Sequence, residues 1–169
     1  MKVKVKVPAT SANLGPGFDV AGLALTLYNT FTFELNEGGL NITGCPTQFC
    51  NEENLTYQAF SQAAQSCGLD FKGVNIHCES QVLYTRGLGS SSTCIVAGIV
   101  GAFAFKDKTD DRQEILELAT KIEGHPDNVA PAIFGGLTVS VMEEEQVLTL
   151  NIPVKHEYRF VALIPPFTL

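Results

Sequence analysis

Two glycines followed by three serines and a threonine, in Arg86-Gly87-Leu88-Gly89-Ser90-Ser91-Ser92-Thr93, lie between a polar, strand-like stretch and the apolar run Cys94–Phe105. Glycines let a backbone turn tightly and approach a ligand closely. The hydroxyls then fall on the first turn of a buried helix. Free N–H groups and the positive end of the helix dipole converge there, which suits an anion and above all a phosphate. The same pattern also serves as a plain glycine turn with serine N-caps.

Two common nucleotide loops do not fit. A Walker A loop needs Gly-Lys-Ser/Thr at its end, and no lysine follows Gly89. A dinucleotide fingerprint needs a small third residue after Gly-x-Gly-x-x, where this chain has Ser92. Two further dense segments carry polar side chains among glycine and proline. One is Pro8-Ala9-Thr10-Ser11-Ala12-Asn13-Leu14-Gly15-Pro16-Gly17-Phe18-Asp19; the other is Glu123-Gly124-His125-Pro126-Asp127-Asn128-Val129-Ala130-Pro131, running on to Gly135-Gly136. On residue chemistry alone, Asn13 and Asp19 serve as turn residues that bond their own backbone. His125, Asp127 and Asn128 read as a helix-breaking turn with a cap, and Asn54 as an N-cap. Glu117, with Lys121 four residues on, reads as a solvated pair on a helix surface.

The elements that must hold these segments follow from periodicity. Val3–Val7 alternates with lysine as a half-buried strand does, and Pro8–Gly17 reads as loop. Tyr28–Leu35, Leu40–Thr43 and Val74–Glu79 read as strands. Asn54 starts a helix to Cys67 with the stripe Ala59, Phe60, Ala63, Ala64, Cys67, and Gly68 stops it. Thr109 or Asp110 caps the next helix, with the stripe Ile115, Leu118, Ala119, Ile122. A short helix runs to Phe134; Leu137–Met142, Val147–Ile152 and Phe160–Ile164 complete the strands. The arrangement is α+β.

With 169 residues and 45% hydrophobic content, the chain is one domain's worth with ample core. A net charge of −7 argues against nucleic acid, though loop amides can still hold phosphates locally. Five cysteines without a Cys-x-x-Cys pair predict free thiols in a reducing cytoplasm rather than a zinc site. No apolar leader core follows Met1, and Cys94–Phe105 is too short to span a bilayer.

The three motifs together resemble the GHMP small-molecule kinases, and the first and third resemble the homoserine-phosphorylating branch in particular. The resemblance runs from Val3 to the end of the chain. It implies a fold like domain 2 of ribosomal protein S5, with residues 1–169 forming the amino-terminal ATP-binding domain. A second, ferredoxin-like domain with a further Gly-rich motif and substrate-binding arginines is expected outside this chain. The implied reaction is transfer of the ATP γ-phosphoryl to the hydroxyl of L-homoserine with Mg2+, on the route to threonine. The whole enzyme is expected to be soluble and cytoplasmic, to bind no nucleic acid or membrane, and to be compatible with a homodimer.

Residue by residue, the resemblance implies nucleotide contacts from Leu83, Tyr84, Thr85, Arg86, Gly87, Leu88, Gly89, Ser90, Ser91, Ser92 and Thr93, and an adenine contact from Asn54. Leu83 stands where the family usually has proline. Magnesium falls to Ser91 and to Glu117, the latter on its spacing of eight before His125. Asn13, Asp19, His125, Asp127 and Asn128 are implied to face the amino acid substrate. No general base stands out. Rival readings are a GHMP kinase for mevalonate or a sugar, disfavoured by the first and third motifs, and a nucleotide-binding module without turnover.

Overall fold

The computed structural model describes residues 1–144, 146–155 and 159–163. Strand β1 (Lys2–Ala12) buries Val5, Val7 and Ala9 while its lysines stay in solvent. It does not stop at Val7. Its register against the next strand shifts between Pro8 and Thr10, so the proline, which has no N–H to give, sits at an irregularity and the strand continues.

Strand β2 (Ala21–Asn36) organises the sheet. One edge pairs antiparallel with β1 along nearly its whole length. The other edge is divided between two partners: Ala21–Leu23 pair with β5 (Leu137–Glu143), and Thr30–Asn36 pair with β4 (Gly73–Glu79). Beyond them lie β3 (Leu40–Thr43), parallel to β4, and β6 (Gln146–Ile152), antiparallel to β5. The order is β3-β4-β2-β5-β6, with β1 on the free side of β2. The middle of β2, between its two partners, is where the Gly-rich loop attaches.

Among the described residues four α-helices complete the α+β fold: α1 (Leu55–Cys67), α2 (Ser90–Ala104), α3 (Arg112–Glu123) and α4 (Val129–Phe134). Helix α1 forms as its sequence predicts. Asn54 Oδ1 accepts from the Thr56 and Tyr57 amides, and Gly68 ends the helix at φ +67°. Its Phe60 stacks on Phe33 of β2 at 5.4 Å between centroids and meets Phe71 and Phe105 edge-on. Burying one such ring stabilises the fold by about 1.5–3 kcal/mol. Helix α2 lies close enough to α1 that a Cβ at Gly98 would sit 2.8 Å from the Phe60 nitrogen.

Helix α3 is capped by Asp111, one residue later than expected, and its buried face is Ile115, Leu116, Ala119 and Thr120. Leu118 and Ile122 are only partly buried, so the inward face is rotated from the predicted stripe. The strand expected at Phe160–Ile164 does not form over Phe160–Leu163, and Ile164 lies outside the described residues. No described helix is long and apolar enough to cross a membrane.

Candidate active site

The segment after β4 is held by a residue the motifs do not include. Asn29, buried in the middle of β2, accepts at Oδ1 from the Gln81 and Val82 amides, both at 2.9 Å, and from Ser80 Oγ at 3.1 Å. Its Nδ2 donates to Thr93 Oγ1 at 2.9 Å. One amide thus ties the start of the Gly-rich loop to the helix that follows it. Asn29 escaped sequence reasoning because an asparagine among aromatic and threonine residues reads as ordinary strand polarity.

The loop turns through left-handed backbone at Thr85, Gly87 and Gly89 (φ +53°, +66°, +65°). At Gly89 a side chain is excluded twice, by the backbone angle and because a Cβ would run into the Thr10 hydroxyl. The first helical bond of α2 is Thr93 N–H to Gly89 O at 3.0 Å. The amides of Ser90, Ser91 and Ser92 therefore have no partner within the helix and form its positive end. Arg86 Nη1 is buried with no acceptor among the described residues.

Ser91 Oγ and Ser92 Oγ both donate to Glu123 Oε1, at 2.7 and 2.9 Å. Glu123 is the last residue of α3, whose own dipole disfavours a carboxylate there; the start of α2 offsets this. Glu117 is not brought to this place, which corrects the expectation for it. Its Oε1 accepts from Gln113 Nε2 at 2.7 Å, and the same amide donates to Val147 O. Six residues along a helix separate Glu117 from Glu123 by about 9 Å of rise and a different face. Spacing counted back from His125 misled because the turn between α3 and His125 is short: Gly124 alone intervenes.

Beside the start of α2 lies an apolar cleft of about 200 Å³ lined by Phe49, Asn54, Tyr84, Cys45 and Cys94, with Ser90 and Ser91 at one end. Phe49 and Tyr84 face each other at 6.4 Å between centroids. Asn54 is both cap and wall: its Nδ2 donates to Phe49 O at 2.8 Å. Burial holds the cleft thiols neutral, Cys45 at about 11 and Cys78 at about 12, and raises Cys94. A flat heterocycle, rather than a charged group, suits these walls.

The first and third motifs meet the second at Thr10. Its amide donates to Leu88 O at 3.1 Å and its hydroxyl to Asn128 Oδ1 at 2.8 Å. Asn128 Nδ2 in turn donates to Asp127 Oδ1 at 3.2 Å. That oxygen also bonds His125 Nδ1 at 2.5 Å, with Asp127 buried and His125 partly exposed. Asp127 Oδ2 has no donor among the described residues. The third turn packs so tightly on β2 that a Cβ at Gly22 would collide with the Asp127 carbonyl. Asn13 and Asp19 stay out of this cluster. Both are exposed and left-handed (φ +58° and +56°), and Asn13 Oδ1 accepts the Asp19 amide at 2.9 Å. Leu83 is about half exposed.

The site thus sets a left-handed Gly loop between strand and helix, with a carboxylate at the helix start and an apolar cleft alongside. Residues 54–136 match the GHMP kinases N terminal domain. It is 48% identical over 168 residues to homoserine kinase of Clostridium beijerinckii, covering 99% of this chain and 56% of that protein. The chain thus spans about half the length of the curated relatives it matches. Among solved structures, homoserine kinase from Cytophaga hutchinsonii superposes with a TM-score of 0.72 at 28% identity, over 91% of this chain and 52% of that one. Methanococcus jannaschii mevalonate kinase, at 15% identity over 91% of this chain and 56% of its own, shares the fold with a TM-score of 0.70.

Proposed function

We propose that the protein phosphorylates the hydroxyl of L-homoserine with ATP, giving O-phospho-L-homoserine and ADP in the cytoplasm, on the route to threonine. The observation that carries this reading is the junction of the α2 start with Glu123 beside the apolar cleft. The free amides of Ser90 to Ser92 and the Arg86 guanidinium hold the phosphates. The adenine enters between Phe49 and Tyr84 against Asn54. Phosphoryl transfer is mainly positioning and charge stabilisation, which is what such a frame supplies.

Ser91 and Glu123 would hold magnesium. The donor set fits: hydroxyl and carboxylate oxygens are hard ligands, and Mg2+ needs only one or two from the protein because phosphates and waters complete its shell. Bound there, the ion neutralises charge on the transferring group. His125, oriented by Asp127, and Asn128 form the wall that the acceptor meets. Asn13 and Asp19 shape an exposed turn outside that wall, and the Asp19 carboxylate is offered to the ammonium group of the acceptor.

The test is ADP release by the protein at the full length of its relatives, with homoserine, mevalonate or galactose. Homoserine alone should stimulate release. Equal stimulation by mevalonate or galactose would show the acceptor reading to be wrong.

A further inference from the structure

Cys45, in the cleft wall, and Cys50, five residues on, carry thiols to which the reading above gives no chemical role. Cys45 follows β3 and lines the cleft; Cys50 follows a short 3₁₀ turn, Thr47–Phe49, and is exposed. The turn folds the chain back so that the two sulfurs stand 3.5 Å apart. Cys50 Sγ also lies 3.8 Å from Cys45 O and 3.7 Å from Pro46 O. The other three cysteines differ: Cys67 and Cys78 are buried, and Cys94 lies on α2 with most of its thiol enclosed.

We propose that Cys45 and Cys50 are a reversible oxidation site, closed to a disulfide by small disulfides of the glutathione type, and that closure weakens nucleotide binding at the adjacent cleft. The first half rests on the sulfur geometry alone; the second rests on the nucleotide reading. The exposed Cys50 thiolate attacks one sulfur of the oxidised reagent, forming a mixed disulfide and releasing one thiol. Cys45 sulfur then attacks Cys50 sulfur, its proton goes to solvent, and the second thiol leaves. Two protein thiols are oxidised and one small disulfide is reduced to two thiols. Cys50 is exposed while Cys45 is partly enclosed, so Cys50 meets the reagent first.

Closing the bond draws the sulfurs from 3.5 Å to about 2.05 Å. The arc between them carries Phe49, whose ring lines the cleft and whose carbonyl receives the Asn54 bond. Tightening the arc moves both walls of the proposed adenine site.

The reduced protein is incubated with oxidised and reduced glutathione at graded ratios, then mapped by mass spectrometry, and ATP affinity is measured by calorimetry on each form. A Cys45–Cys50 link that dithiothreitol reverses is expected, with Cys67, Cys78 and Cys94 still free after unfolding. The closed form should bind ATP about tenfold more weakly, ~1.4 kcal/mol. Cys50→Ser should bind ATP normally and be indifferent to oxidation. A stable glutathione adduct without the link, or a link to another cysteine, overturns the oxidation site. A link that leaves ATP affinity unchanged overturns its hold on the cleft. If neither form binds ATP, the nucleotide reading fails while the mapped link stands.

Discussion

Thr10 Oγ1 donates to Asn128 Oδ1 at 2.8 Å across 118 residues of sequence, and the same hydroxyl fills the space that a side chain at Gly89 would need. One buried threonine thus locks three separate motifs into a single surface. Thr10→Val keeps the shape, removes the donor and leaves Asn128 Oδ1 without its bond. It should cost about 1–3 kcal/mol of stability, measured by urea denaturation. Valine tolerated with no change in midpoint would reduce the contact to a bystander.

Gly89→Ala meets both the positive φ and the Thr10 hydroxyl. Nucleotide affinity should fall by more than the loss of stability accounts for, because the strain falls on the loop and not on the core. Calorimetry with ATP, alongside a melting curve, separates the two.

Glu123→Gln in the full-length enzyme should lower turnover about 100-fold or more and raise the magnesium concentration needed for half-maximal rate. Glu117→Gln should leave both unchanged, since that side chain bonds Gln113 on another part of α3. A magnesium titration of the two variants decides between them. Loss of activity in Glu117→Gln with normal Glu123→Gln would reverse the assignment.

Asp127→Asn weakens the partner of His125 and should raise the Michaelis constant for homoserine more than that for ATP. Asp19→Asn tests the exposed turn in the same assay. A selective homoserine effect would place its carboxylate against the substrate, and equal small effects would confine it to the turn.

The Cys78 thiol, raised by burial to about 12 from an ordinary value near 9, binds its proton more tightly folded than unfolded. Its contribution is therefore whole below pH 9 and is lost as pH rises from 9 towards 12. Denaturation midpoints should drop over that window, and Cys78→Ala should flatten the slope. An unchanged slope would assign the alkaline loss to other groups.

Much of the fold was legible because its signals are local. The Asn54 cap, the Gly68 stop and the α1 stripe each need only a few neighbouring residues, and they predict a helix from Asn54 to about Cys67, where α1 lies. Strand β1 was cut short because proline normally ends a strand, and the irregularity that accommodates Pro8 depends on a partner strand. The same distinction governs the site. The Gly-rich loop declared itself by composition, whereas Asn29 and Glu123 take their roles from contacts 53 and 32 residues away. No pattern of spacing along α3 separates Glu117 from Glu123; only the direction in which the helix ends does.

The divided edge of β2 also sets the order in which the molecule can assemble. Strands β1 and β2 are neighbours in sequence and can pair early, but Asn29 in the middle of β2 meets Ser80, Gln81, Val82 and Thr93 only once β4 has paired from farther along the chain. The loop anchored on Asn29 should thus form after the β1–β2 pair. A ligand gripping that loop has little to hold at the folding barrier, so it should slow unfolding while leaving the refolding rate nearly untouched.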